Sequence, residues 1–222
     1  TTSRKLRDTS AWYNVVVQVD STDSTADDRV KMWINGVQET NFSTRNNPSS
    51  SQAFSVNDAA STHTVGAGNQ GSGRNQYFNG NMSHFVLVDG SVVAPTAFGE
   101  TDATSGIWKF KSPSGITFGT NGVHLKFENS AALGTDSSGQ SNTYTANGNL
   151  KQSNSTPTTL YPTLDFLNKY TGTDYEYGAT QVAGSTGGGV KMYGTATMAV
   201  RQGKWYWEIM NKTSSNPSLA VG

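Results

Sequence analysis

The sequence predicts an all-β fold: a jelly-roll β-sandwich, an irregular connection, and the start of a second β-sandwich. Gly, Ser, Thr and Asn are plentiful, with 24 glycines in 222 residues, a composition typical of short strands joined by many turns. Between Trp12 and Val93, roughly five segments alternate apolar and polar residues with a period of two. No window keeps a helical period beyond one or two turns, so the sequence offers no long amphipathic helix.

The charge balance argues against two classes of partner. Lys+Arg and Asp+Glu number 16 each, without a basic run, so the electrostatic footprint of a nucleic-acid binder or an anionic-membrane binder is missing. No apolar run approaches the length of a bilayer crossing, and the opening residues TTSRKLRDTS contain neither an apolar signal region nor a starting Met. We expect no nucleic acid and no membrane insertion. We interpret the chain as an internal fragment of a longer polypeptide.

The first strands form a predicted hairpin. The segment AWYNVVVQVD from Ala11 alternates, and we expect its valine face to be buried: Tyr13, Val15, Val17 and Val19. After the polar loop STDSTADD, the segment RVKMWINGV carries Val30, Met32 and Ile34 on one face. The dipeptide Asn35-Gly36 then predicts a type I′ turn, because both residue types readily adopt positive φ.

The remainder of the first unit, residues 1–95, is predicted as further strands and loops. Residues 43–60 are interpreted as a surface loop and HTVGAG as a strand. YFNGNMSHFVLVDGSVV predicts another strand, with Asp89-Gly90 as a second hairpin turn. In this strand Met82, His84, Val86 and Val88 would share one face, and Phe85 and Leu87 would lie on the other face.

Beyond residue 95 the pattern is less regular. Residues 96–122 are interpreted as an irregular but packed connection, because a flexible linker would not carry so many isolated aromatics: Phe98, Trp108, Phe110 and Phe118. Residues 123–222 are interpreted as the start of a second β-sandwich. It begins with the strand VHLKFEN, contains one helical turn at LDFLNKY, and ends near the strand GKWYWEI. Trp205, Trp207 and Ile209 of that last strand are expected to face chain beyond the fragment or another subunit.

One glycine motif resembles a nucleotide-binding fingerprint only in its letters. GAGNQG at 66–71 has the dinucleotide spacing, but Ser72-Gly73-Arg74-Asn75 follows without a helical pattern. We interpret the segment as a glycine-rich β-loop.

Metal candidates are confined to one acidic loop. Asp20, Asp23, Asp27 and Asp28 are calcium candidates, because hard carboxylates bind calcium; the alternative is a solvated acidic hairpin. No other cofactor is expected. The histidines His63, His84 and His124 are scattered, so no metal catalytic centre is predicted.

The candidate binding residues are aromatic, and catalysis is not predicted. Trp33 and Tyr77 are candidates for stacking on a sugar ring, with packing inside the sandwich as the alternative for Trp33. Glu100 and Asp102 are the nearest approach to the paired carboxylates of a glycosidase, and we interpret them as turn-capping groups. No G-x-S-x-G motif is present. We therefore expect a protein that is not an enzyme.

Six ordered sequence elements carry a family resemblance. They are Trp12-Tyr13, Arg29-Val30-Lys31, Asn35-Gly36-Val37, Tyr77-Phe78-Asn79-Gly80, Asp89-Gly90 and Phe98-Gly99-Glu100. Residues 7 to about 150 resemble the laminin-G-like (concanavalin A-like) domains of virion proteins of marine bacteriophages, and GKWYWEI resembles the strand that opens a SPRY-like sandwich. Two features depart from the family. Trp108-Lys109-Phe110-Lys111 lacks the usual proline, and the first half of the jelly roll is absent.

The resemblance implies a bacteriophage virion structural protein: a tail fibre, appendage or decoration that recognises a host-surface glycan. The implied partners are other virion proteins and further copies of the chain, and the implied location is the virion, assembled in the host bacterial cytoplasm. Two alternatives remain open. One is a purely architectural virion module, and the other is a polysaccharide-degrading sandwich enzyme whose acids lie in the missing half.

Overall fold

The computed structural model describes residues 1–8, 11–56, 61–70, 73–148, 150–153, 155–159, 162–169, 173–176, 179–184 and 194–210. Within these ranges the regular structure is β, apart from 3-10 turns at Ala26–Asp28 and Pro95–Ala97. The strands form one three-stranded sheet and several two-stranded antiparallel pairs. The all-β prediction is confirmed at this level, and the jelly-roll arrangement stays a prediction. None of the helical turns in the described ranges could cross a bilayer.

The three-stranded sheet contains the predicted hairpin. Strand β1 spans Val15–Val19, β2 spans Val30–Ile34 and β3 spans Val37–Gln38, with β2 in the middle. Asn35 and Gly36 have φ of 50° and 74°, and the residues on either side of them pair directly. Positive φ at both positions is the signature of a type I′ turn, so that prediction is confirmed.

The predicted burial of the β1 valines is wrong. Val15 and Val17 are 51% exposed and Val19 is 46% exposed, whereas Val16 on the opposite face is 9% exposed. Across the ladder from these valines, Ile34 is buried and Met32 is half-buried. The apolar face that these residues share is therefore more buried at β2 than at β1. Period-two alternation shows which residues share a face of a strand, but it does not show how much of that face other parts of the chain bury.

The glycine-rich segment folds as a hairpin. Strand β4 spans Gly68–Gln70 and pairs antiparallel with β5, which spans Gly73–Asn75. This agrees with its interpretation as a glycine-rich β-loop. The predicted strand HTVGAG is wrong, because of its residues only Gly68 belongs to a strand, and Gly66 turns the chain with a φ of 79°.

The next strands pair in a nested order. Strand β6 spans Phe85–Leu87, β7 spans Gly99–Thr101, β8 spans Trp108–Phe110 and β9 spans Val123–Leu125. Strands β7 and β8 form an antiparallel hairpin, so the predicted irregular connection contains regular structure. Strand β6 pairs with β9.

The predicted hairpin turn at Asp89-Gly90 is wrong. Gly90 has a φ of 77°, but the strand before it pairs with β9 rather than with the residues that follow the turn. The Asp89 N–H instead donates a hydrogen bond of 2.8 Å to the Phe118 carbonyl. All of β9 is buried on both faces, so its residues form the centre of the described core.

The later strands form two antiparallel pairs. Strand β10 spans Leu164–Lys169, β11 spans Thr173–Glu176, β12 spans Gln181–Gly184 and β13 spans Gly194–Ala196. Strand β10 pairs with β13, and β11 pairs with β12. The helical turn predicted at LDFLNKY is wrong: Leu164–Lys169 is a strand, and Tyr170 lies outside the described residues.

The strand predicted at GKWYWEI is wrong, because residues 203–209 are not paired in a sheet. Residues 203–210 have no assigned strand, and Trp205 and Trp207 are 62% and 60% exposed. The division of the chain at residues 95 and 123 stays a prediction. The β6–β9 ladder nevertheless means that residues 123–125 are hydrogen-bonded to the unit that precedes the division.

Candidate functional site

Tyr77 and Phe78 form an exposed aromatic corner beside the glycine-rich hairpin. Their exposures are 72% and 56%. The Phe78 N–H donates to the Gly66 carbonyl at 2.8 Å, and the Tyr77 hydroxyl donates to the Arg74 carbonyl at 3.1 Å. The corner thus presents two large ring surfaces to solvent on a hydrogen-bonded backbone.

Trp33, the second sugar-binding candidate, lies elsewhere. It occupies the middle strand of the first sheet, opposite Val16 and Gln38, and is half-buried. No ring contact joins it to Tyr77 in the part of the chain that the structure describes. Trp33 therefore has a half-buried strand position without ring contact to Tyr77, and its role in sugar binding stays a prediction.

The acidic loop uses its carboxylates for local contacts. Asp20 accepts hydrogen bonds from the Thr22 hydroxyl at 2.6 Å and the Thr22 N–H at 3.0 Å, which together hold the pKa of Asp20 below its usual value. Asp23 accepts the Thr25 N–H at 2.8 Å.

The other two carboxylates of this loop are ion-paired. Asp27 lies 3.5 Å from the Arg45 Nε, and Asp28 lies 3.1 Å from the Lys31 Nζ. Within the described ranges, no three His, Cys, Asp or Glu side chains come together as metal ligands would. Calcium binding at this loop stays a prediction.

Glu100 lies in the middle of β7, and Asp102 follows directly after the strand. Asp102 accepts hydrogen bonds from Lys109 Nζ and from the Ser105 hydroxyl and N–H, which hold its pKa far below its usual value. The interpretation of Asp102 as a turn-capping carboxylate is confirmed. A carboxyl group held ionised in this way is unsuited to act as the general acid of a glycosidase.

The structure brings together two histidines that are scattered in the sequence. His84 Nδ1 and His124 Nε2 are 3.1 Å apart, so one ring donates a hydrogen bond to the other. The His84 ring also lies 4.4 Å from the Phe110 ring, and Phe118 stacks on His124. Burial is the main cause that lowers the pKa of both imidazoles. Lys126 lowers both pKa values further and His84 lowers that of His124, while Glu128 opposes the shift at both rings. Because the two histidines are 40 positions apart, the pair has no local sequence signal.

Asp136 organises the loop beside this pair. Its Oδ1 accepts the N–H groups of His124 and Ser138, both at 2.9 Å. Its Oδ2 accepts the Ser138 hydroxyl at 2.7 Å and the Asn142 N–H at 2.8 Å. Desolvation raises the pKa of Asp136, but these hydrogen bonds outweigh it and leave the pKa lowered. The sequence Asp136-Ser137-Ser138 could have predicted a turn held by the Asp136 side chain, because Asp and Ser side chains commonly accept hydrogen bonds from nearby backbone N–H groups in turns.

A large open cleft runs along β1. Its volume is about 1190 Å³, and its walls include Val15, Val17, Val86, Val88 and Ile107. Gln18 Nε2 bridges to the Val93 carbonyl at 2.7 Å. Most of the residues that line the cleft are apolar, and they include the exposed valines of β1.

Comparisons with protein-family models, with curated proteins and with solved structures found no match for this chain. The laminin-G-like and SPRY-like resemblance therefore remains one of sequence motifs.

Proposed function

We propose that this chain is a non-catalytic recognition module of a bacteriophage virion, and that it binds a host-surface glycan. The virion assignment rests on the order of the sequence motifs. The glycan assignment rests on one structural observation, the exposed aromatic corner formed by Tyr77 and Phe78. Exposed aromatic rings bind sugars by packing their flat apolar faces against the C–H faces of the pyranose ring.

The surroundings of the corner suit a neutral ligand. The corner follows strand β5, whose exposed Arg74 and Asn75 offer guanidinium and amide donors to sugar hydroxyls. The hydrogen bonds from Tyr77 to Arg74 and from Phe78 to Gly66 hold the loop before a ligand arrives. A pre-ordered loop loses less conformational entropy on binding, which favours affinity.

A glycan array probed with the protein tests this function. We expect binding to a bacterial surface polysaccharide, and we expect Tyr77→Ala to weaken it by roughly tenfold, because an aromatic contact is worth on the order of 1 kcal/mol or more. Tyr206→Ala is the matched control, since Tyr206 is a tyrosine in a different segment that is even more exposed than Tyr77. Trp33→Phe tests the second candidate and should leave binding unchanged.

The outcomes separate the candidate functions. Equal binding by Tyr77→Ala and the unaltered chain would contradict the role of this corner. An array without any binding would contradict glycan recognition and leave the architectural virion module. The architectural candidate has an observation of its own in its favour, because β1 leaves an apolar face and a sheet edge open.

A further inference from the structure

The outer side of β1 has the backbone groups of an open sheet edge. On its inner side, the Asn14 carbonyl accepts the Asn35 N–H and the Asp20 N–H donates to the Arg29 carbonyl, both at 2.8 Å. Antiparallel residues alternate between pointing both backbone groups at the partner and pointing both away. Val15, Val17 and Val19 therefore direct their N–H and C=O groups away from β2. Within the described ranges, β1 is the last strand on that side of its sheet.

The side chains along this edge are apolar and uncovered. The same valines are about half exposed, although Ile34 across the ladder from Val15 is buried. The cleft of about 1190 Å³ runs beside them, with Val86 and Val88 on its other wall. An open edge above an apolar floor is the arrangement that accepts an added β-strand, because the edge supplies hydrogen bonds and the floor takes alternate side chains.

The segment 203–210 has the complementary chemistry. It belongs to no sheet, and Trp205, Trp207 and Ile209 occupy alternate positions with more than half of each side chain exposed. In an extended backbone these three side chains share one face. Tyr206 and Glu208, whose side chains are hydrogen-bonded to each other, would share the opposite face. The segment is not among the residues that line the cleft.

We propose that segment 203–210 of one copy adds as a strand to the open edge of β1 in a second copy of this chain. The donor brings an apolar face and a backbone that pairs with no strand among the described residues, and the acceptor edge presents an apolar face and outward-pointing backbone groups. The formal net charge is zero, so two copies do not repel each other. Two buried tryptophans contribute roughly 150 to 250 Å² each, which with the matching acceptor surface approaches the ~1,000 Å² of a specific interface.

This contact joins two different surfaces, so it repeats from copy to copy. A heterologous contact of this kind closes into a ring or extends into a chain of subunits. The assembly does not depend on the glycan proposal, because Tyr77 and Phe78 belong neither to the donor nor to the acceptor.

Sedimentation velocity of the full chain over a wide concentration range tests the assembly. The acceptor variant is Val17→Pro, which removes an N–H that points away from β2 and leaves the β1–β2 ladder intact. Its matched control is Gln38→Pro at the opposite edge of the same sheet. There the Glu39 N–H bonds to the Met32 carbonyl, so the Gln38 N–H points outward. The donor variant is Trp205→Ala with Trp207→Ala, and its control is Tyr206→Ala.

We expect the unaltered chain and both controls to associate as concentration rises, and the acceptor and donor variants to stay monomeric. A mixture of the two variants should form a one-to-one dimer that grows no further, because only one intact donor and one intact acceptor remain. Circular dichroism checks the fold of each variant. Val17→Lys replaces Val17→Pro if the proline variant unfolds, because a charged edge residue also blocks strand addition.

Three results would overturn the proposal. One is an unaltered chain that stays monomeric at every concentration. If Val17→Pro then alters the tryptophan fluorescence of that monomer, segment 203–210 inserts into the cleft of its own chain rather than of a second copy. Another is loss of association in the Gln38→Pro or Tyr206→Ala control. The third is a mixture of the variants that yields no dimer.

Discussion

At the scale of single residues, Trp108 shows how two glycines create a docking site. A Cβ atom on Gly36 or on Gly99 would overlap the Trp108 ring. The indole therefore packs directly against the backbone of the type I′ turn and of β7. The contact joins the first hairpin to the β7–β8 hairpin, and no side chain larger than hydrogen fits at either glycine.

Gly99→Ala is expected to lower the free energy of unfolding by about 2 kcal/mol, because overpacking a filled site forces backbone or side-chain shifts. Gly99 does not have a positive φ, so the effect is steric. Urea denaturation measures it. Trp108→Phe in the same background should recover part of the loss, because the smaller ring relieves the clash. Two changes whose effects simply add would show that the indole is not the cause.

At the scale of elements, the hairpin turn at Asn35-Gly36 followed the sequence, whereas the one predicted at Asp89-Gly90 and the pairing of distant strands did not. The turn at Asn35-Gly36 was predicted because its φ values are preferences of those two residues. The pairing of β6 with β9 was missed, because a whole hairpin lies between them and nothing local encodes it. Strand β10 was mistaken for a helical turn because Leu and Lys favour helix, and pairing with β13 overrides that weak preference.

The Asp136 carboxylate holds the loop after β9 through several hydrogen bonds, so its replacement should destabilise the fold. Asp136→Asn should lower the free energy of unfolding by about 2 kcal/mol, because an amide NH₂ replaces an oxygen that accepts hydrogen bonds. Asp23→Asn is the control, since Asp23 accepts a single N–H and an amide oxygen can keep that bond. Urea denaturation of both variants makes the comparison, and equal losses would contradict the role of Asp136.

At the scale of the whole molecule, the His84–His124 pair couples stability to pH. The pKa of each imidazole is lowered in the folded protein, chiefly by burial. The charged groups around the pair are Lys126, which lowers both pKa values, and Glu128, which raises both; Asp136 also raises that of His124. Two imidazolium rings cannot hydrogen-bond to each other, so protonation of both rings also removes the hydrogen bond between them.

The free energy of unfolding should therefore fall as the pH drops below about 6.5, where the unfolded chain takes up protons that the folded chain excludes. Above that pH both imidazoles are neutral in both states, and the pair adds no pH dependence. Each unit of pKa lowering contributes about 1.4 kcal/mol. Urea denaturation at neutral and mildly acidic pH measures the fall. His84→Gln removes one titrating group and should reduce it, and an undiminished fall would contradict this account.

The sequence by itself determined the all-β class and the type I′ turn, and it singled out Tyr77 as an aromatic residue after a glycine-rich β-loop. Each of these depends on preferences of neighbouring residues along the chain: strand alternation, positive φ at Asn and Gly, and polar turn composition. Only the tertiary structure decided that His84 meets His124, that Asp136 closes the loop over β9, and that the β1 valines are left uncovered. Those outcomes depend on which distant strands lie side by side, and side-chain periodicity carries no information about a strand's partner.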